Sequence, residues 1–437
     1  MRSILVLLLI FLGAAWALRN PYVGVLVWTW VSIMNPHKLS WQAASLPVAA
    51  IVAGATLLGL VFTKDKKQFF ITAPSGALLI FTLWVCITFI FSIYPDLSAE
   101  MFSKVLKVNF MIFVAMMVLY TKRHITLLVW VIVLSLGFYG IKGGIFTLAT
   151  GGNYRVFGPD NSFIGGNNEI ALALIMVIPL MYFLREQASR VWQRQAWLVA
   201  MGLTAIAAVG SQSRGAFLAI AAMTILLWLR GRQKLVFGML LVVGAILLLA
   251  FMPESWHERI ATIGTYKEDG SAMGRINAWW MAWNLAMHNF FGGGFAIYEP
   301  FLFALYAPDP QDLHVAHSIY FSVLGEHGFV GLAIFLVMWG LTWRWAGWLR
   351  KNAKGNPETE WAAVLGGMCQ VSLIGYAVGG AFLSLAYFDL PYNILMLVVL
   401  ARRWVETYQK EHLTQVPKPG RAWLPIARGA GRATSSN

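Results

Sequence analysis

The chain has 437 residues, 59% of them hydrophobic and only 12% charged, with a mean hydropathy of +0.66. A soluble domain carries about 25% charged residues, which excludes a soluble enzyme, and the alternating segments of about ten residues that build a membrane β-barrel are absent. The formal charge of +14 is read first as the Lys/Arg excess of cytoplasmic loops in a membrane protein, so no nucleic-acid partner is expected.

Apolar segments fall at 3–18, 22–34, 45–62, 74–93, 101–120, 125–149, 169–184, 196–212, 215–229, 235–252, 318–342, 361–385 and 388–404. Most are long enough, or nearly so, to cross a hydrocarbon core of about 30 Å. The expected fold is an all-α polytopic membrane protein with about 12 transmembrane helices. The first two segments, split only by Arg19-Asn20-Pro21, form either a hairpin or one span that fails to cross. The first resembles a signal peptide and contains Ala14-Ala15-Trp16-Ala17, but with so many spans following it is expected to stay in the membrane.

Basic connectors recur on alternate loops: Lys64 to Lys67, Lys122-Arg123-His124, Arg185 to Arg194, Arg230 to Lys234 and Arg344 to Lys354. The positive-inside rule makes that side cytoplasmic, with the N-terminus inside if there are twelve spans. The opposite side receives the 94–100 and 150–168 loops, the Ser211–Gly215 turn, a long loop at 253–317 and the turn at 386–389. Three regions are expected: an N-terminal transmembrane module at 1–150, a transmembrane core at 151–405 that includes the 253–317 loop, and a basic, disordered cytoplasmic tail at 406–437. No internal repeat is evident. Cys86 and Cys369 lie in apolar runs and read as packing residues.

The 253–317 loop is the long excursion from the membrane. Within it Gly274–His288 reads as a helix, with Ile276, Trp279, Trp280, Trp283 and Met287 as an apolar stripe at helical spacing, suited to a membrane interface. Gly292-Gly293-Gly294 breaks it. His314 and His317 lack a third nearby ligand, so no metal site is expected, and Asp309 and Asp312 read as a solvated pair.

Cations on the outer side run against the positive-inside bias. Arg214 sits in the Ser211-Gln212-Ser213-Arg214-Gly215 turn between two apolar segments, where an arginine that does not merely snorkel marks function. Arg275 reads as opening the loop helix, a position that disfavours a cation unless a bound phosphate reconciles the two. Lys104 and Lys107 share one face at the start of a span, and Arg155 precedes Gly165-Gly166-Asn167-Asn168-Glu169. Together these cations suggest a pocket for a lipid-linked phosphate or diphosphate head group. His317 ends the loop, and a histidine takes a proton from a hydroxyl near neutrality. Glu326 lies deeper on the same span.

These residues resemble a known family. Ser-x-Ser-Arg-Gly at 211–215, Arg275 ahead of a Trp-rich helix, the Gly292–Gly294 break, and His317-Ser318 followed by Leu324-Gly325-Glu326-x-Gly328-x-x-Gly331 are similar, in order and placement, to the O-antigen ligase family, over about 160–405. That family also contains O-antigen polymerases and protein O-oligosaccharyltransferases. Ser318 departs from the Asn that many members have after the histidine. The resemblance implies a GT-C-like glycosyltransferase of the bacterial inner membrane whose active site, capped by the long loop, faces the periplasm. It would transfer glycan from undecaprenyl pyrophosphate to a sugar of lipid A-core, without metal or other cofactor and with inversion. Carried over by motif, the catalytic residues are His317, Arg214 and Arg275. Lys104, Lys107, Arg155 and Asp389 are added as substrate-binding residues by charge and side. A polymerase or protein O-glycosylation ligase has the same chemistry with another acceptor. A transporter of lipid-linked glycan would instead need charges along a path through the spans.

Overall fold

The computed structural model describes residues 2–39, 43–44, 46–64, 67–230, 251–254 and 270–413. The expected span at 235–252, the first part of the 253–317 loop, the Arg230–Lys234 connector beyond Arg230 and the tail from 414 onward lie largely or wholly outside these residues. The described residues are 77% helix, with no strand among them. This is the expected outcome for an apolar chain in lipid, where every backbone polar group must be satisfied within its own segment.

The N-terminal part contains α1 (Arg2–Ala17), α2 (Pro21–Met34), a 3-10 turn (Pro36–Leu39), α3 (Val48–Phe62), α4 (Ala73–Ile90), α5 (Pro95–Val118) and α6 (Lys122–Ala149). Then come α7 (Asn167–Gln187), α8 (Val191–Gly210) and α9 (Arg214–Arg230). The described part of the long loop holds α10 (Gly270–His288) and α11 (Pro300–Tyr306). The chain continues through α12 (Ile319–Asn352), α13 (Glu360–Gly379), a 3-10 turn (Gly380–Phe382) and α14 (Asp389–Leu413). Among the described residues 6 helices (α4, α5, α6, α7, α12, and α13 with its 3-10 turn) are long and apolar enough to cross a membrane, and α1, α2 and α3 are shorter apolar helices. The chain is thus a helical membrane protein. α1 and α2 are separate helices that pack on each other and on α3.

Local chemistry sets several boundaries. Thr72 and Ser75 close a reciprocal capping box at the start of α4, and Thr121 caps α6 through the His124 N–H. α7 carries Pro179 in its interior, tolerated because neighbouring helices surround it. Its most apolar stretch is 72% buried, as is that of α13; these two helices form the middle of the bundle. α6 packs along α8, where Gly140 and Gly144 face Thr204 and the Leu203 backbone. Such small-residue spacing lets helices approach closely where lipid supplies no hydrophobic drive for their association. α4 packs along α12, so the N-terminal helices brace the C-terminal half from two sides. α10, α11 and the segment after them have their own apolar core of Ala278, Met281, Ala282, Leu285, Ile297, Leu302, Phe303 and Ala316.

Contacts sort the connectors into two groups. At one end Ile93 meets Gly293, Gln212 meets Gly152, Lys38 meets Asn161 and Phe163 meets Phe388. At the other, Arg403 meets Gln68, Lys122 lies over Trp361, Arg230 over Trp343 and Arg402 over Trp345. The second end is the basic one.

Two expectations need correction. α5 starts at Pro95 with Asp96 in its first turn, not at 101, so Lys104 and Lys107 sit well inside the helix; counting only apolar residues hid its polar first turns. α10 runs from Gly270, so Arg275 does not open it and the helix dipole gives no argument for an anion there. The buried face of α10 is Gly274, Asn277, Ala278, Met281, Ala282, Leu285 and Ala286, whereas Trp280 and Met287 of the expected stripe are 53% and 62% exposed. Small residues let α10 lie close on α12, while Trp280, Trp283 and Met287 point outward.

Candidate functional site

The site is built on a kink. Gly328, inside α12, has φ 69° and ψ −176°, a conformation essentially confined to glycine. The kink frees backbone groups that the Gly292–Gly294 segment takes up: Gly293 N–H donates to Gly325 O at 2.8 Å and Gly294 N–H to Glu326 O at 3.0 Å. A Cβ on Gly292 would lie 2.6 Å from the Glu326 carbonyl carbon. The two glycine-bearing motifs are therefore one structural unit. Glu326 is buried and accepts from the Tyr387 hydroxyl, so its partner is Tyr387 rather than His317. Beside it, His327 Nδ1 meets Thr88 Oγ1 at 2.7 Å, and Trp84 Nε1 donates to His327 O at 2.8 Å, tying α4 to the kink.

His317 precedes α12 with φ 44°, an uncommon left-handed conformation for a non-glycine residue. The chain before it is held by α10: Trp279 Nε1 donates to Ala316 O at 2.7 Å while its ring stacks on Phe321. Asn277 donates to Asp309 O and Asp312 O and accepts from Asp309 N–H. His314, paired with Asp312 at 2.6 Å, packs on Gly274. This clamp brings Arg275 and His317 together. Burial, then the Arg275 charge, then His314 push the His317 pKa down to about 4, so its imidazole is neutral at neutral pH. His317 Nδ1 is buried without a hydrogen-bond partner among the described residues.

Arg214 is the first residue of α9. Ser213 caps that helix, accepting from Ala216 N–H at 3.2 Å. Gln212 has φ 57°; it accepts from Arg155 Nε at 3.4 Å and donates to Gly152 O at 3.0 Å. Asn167 donates to Ser211 O at 2.9 Å. The 150–166 connector, with Arg155, is thereby pinned to the Arg214 turn. Gly215 packs on Phe382, and Gly380 on Ile319, so the Arg214 turn and the His317 end of α12 meet the same short 3-10 turn. Arg275 also acts electrostatically on Glu169 at the start of α7. Arg155, Arg214, Arg275 and His317 thus gather at one end of the bundle.

The other candidates lie around this group. Lys104 pairs with Glu100 at 2.6 Å, and Lys107 is exposed farther along α5. Asp389 is 1% exposed, and its carboxylate accepts from Ser32 Oγ at 2.8 Å. Among the described residues no group of three His, Cys, Asp or Glu side chains could hold a metal ion. Sequence reasoning passed over Lys38, Glu169 and Tyr387. Lys38 carried a signal: it is a cation in an outer connector, the criterion that singled out Lys104 and Arg155. Glu169 and Tyr387 carried none, since their partners are far away in sequence.

Two family models match the chain: residues 1–189 match a family of unknown function, and residues 199–336 match a family described as O-antigen ligase. A search of the curated proteins finds no match. The second match contains Arg214, Arg275, the Gly292–Gly294 break and the His317 motif, so residues 199–336, which carry these candidates, are similar to the O-antigen ligase family.

Proposed function

We propose that this protein transfers O-antigen glycan from undecaprenyl pyrophosphate to a sugar of lipid A-core at the periplasmic face of the bacterial inner membrane. The observation that carries the reading is the convergence of two arginines and a neutral histidine from separate parts of the O-antigen ligase match: Arg214 on α9, Arg275 on α10 and His317 before α12. The concentration of cations at the opposite end, where Arg402, Arg403, Lys122 and Arg230 lie on aromatic rings, supports a cytoplasmic assignment for that end.

In this reading the acceptor hydroxyl attacks the anomeric carbon. The new C–O bond forms as the bond to the diphosphate oxygen breaks, the electron pair leaves with the diphosphate, and the hydroxyl proton passes to His317. One displacement from the face opposite the leaving group inverts the anomeric carbon. Arg214 and Arg275 stabilise the charge that grows on the diphosphate; Lys104, Lys107 and Arg155 hold the donor head group. The diphosphate also offsets the Arg275 field on His317, raising its proton affinity when donor is bound. Asp389, buried against Ser32, positions the start of α14 rather than touching substrate.

The test is reconstitution: purified protein, undecaprenyl-pyrophosphate glycan and lipid A-core, with EDTA present. The expected product is glycan-bearing lipid A-core, lost in His317→Ala and Arg214→Ala. Product on a glycan or on a serine-bearing peptide instead would replace the acceptor with that of a polymerase or a protein glycosylation ligase.

A further inference from the structure

We infer that Lys38, in the N-terminal part matched by the family of unknown function, forms with Lys104 a second cation pair that grips the diphosphate of the lipid-linked donor. This rests on the glycan-transfer reading above and assigns the N-terminal module a part in donor binding.

The turn that carries Lys38 is held from three sides. Asn35 ends α2 with φ 50°, and its side chain donates back to Ser32 O at 2.8 Å. Tyr139 of α6 donates to Met34 O at 2.6 Å, and Ser32 donates to Asp389 of α14. Lys38 Nζ then donates to the carbonyl of Asn161, in the same connector that carries Arg155. Lys38 is half-buried and is held by a braced turn against the connector at the site end of the bundle, unlike a lysine free on a loop.

Its surroundings set it against a second cation. Burial and the Lys104 charge both lower the Lys38 pKa, and only Glu100 opposes them. Glu100 is already paired with Lys104, so one carboxylate faces two ammonium groups. Holding two cations together costs free energy that an anion with several oxygens recovers, and a diphosphate bridges both. The purely structural alternative, Lys38 as a tether for the Asn161 loop, needs its N–H donor but not its charge.

Two substitutions separate these roles. Lys38→Gln keeps a donor for Asn161 O and removes the charge; Lys38→Arg keeps the charge. Binding of undecaprenyl diphosphate, undecaprenyl monophosphate and inorganic diphosphate would be measured on the full-length protein in nanodiscs, alongside donor KM and kcat. The loss of one charge-assisted contact predicts about tenfold weaker undecaprenyl diphosphate binding and about tenfold higher KM in Lys38→Gln, with kcat nearly unchanged and recovery in Lys38→Arg. Lys38→Gln and Lys104→Gln together should lose less than the product of their separate effects, because the two cations share one ligand. Wild-type binding that is unaltered in Lys38→Gln overturns the Lys38 assignment and leaves glycan transfer standing. Folded wild-type protein that binds no undecaprenyl diphosphate overturns both. Inorganic diphosphate bound as tightly as the lipid, with the same dependence on Lys38, would make the site one for free anions and overturn the assignment to the lipid donor.

Discussion

The Trp279 indole N–H donates to the Ala316 carbonyl at 2.7 Å while the Trp279 ring lies on Phe321. This pair couples the loop helix α10 to the residue before His317, and it separates cleanly by mutation. Trp279→Phe keeps an aromatic ring for the stack and removes the donor. We expect a stability loss of about 1 kcal/mol and a fall in kcat of about tenfold as His317 loses its fixed setting. Thermal unfolding and initial rates at saturating donor check both; an unchanged kcat would mean that the clamp does not set the histidine.

The pH profile of kcat/KM reports His317 in the free enzyme. Its pKa is pushed down to about 4 by burial first and Arg275 second. The base form is therefore present above that value, and kcat/KM should fall only as pH drops through about 4. Arg275→Gln removes one depressing charge, so the acid limb should move up, toward the ordinary 6.5. A limb that stays in place would show that the two side chains are not coupled.

His317→Ala should lower kcat by about 10²–10⁴-fold if the imidazole takes the acceptor proton. Arg214→Ala should cost about 10²–10³-fold if the guanidinium stabilises the leaving diphosphate. Transfer rates measured alongside thermal unfolding separate these losses from misfolding.

Gly328→Ala tests the kink. The backbone at φ 69°, ψ −176° admits almost nothing but glycine, and a Cβ there would sit 2.3 Å from Phe290 O. We expect a destabilisation of about 2–3 kcal/mol, and loss of the Gly293 and Gly294 bonds to α12. Gly340→Ala, on the same helix with nothing within 4 Å of the added Cβ, is the control and should be neutral or slightly stabilising.

Tyr387→Phe removes the hydroxyl that faces Glu326. Both side chains are buried, so the carboxyl group is left without that donor, at a cost of about 1–3 kcal/mol. Glu326→Gln, which retains an acceptor for the Tyr387 hydroxyl, should cost less. Equal unfolding temperatures for the two variants would contradict the pairing.

Composition alone established a helical membrane protein, since a chain that is 59% hydrophobic and 12% charged cannot stay folded in water with so much apolar surface, and its backbone in lipid has little choice but helix. Sequence order alone also carried the S-x-S-R-G turn and the His317 motif, because contiguous residues keep their spacing in any fold. Only the tertiary structure decided what those motifs meet. Periodicity identified the faces of α10 but not which one packs inward, because in a membrane lipid and protein interior are equally apolar and a tryptophan gains little by choosing one over the other. Asp389 finds Ser32 across 357 residues and Glu326 finds Tyr387 across 61. Such pairings come from chain segments brought side by side by packing, and no local pattern encodes them.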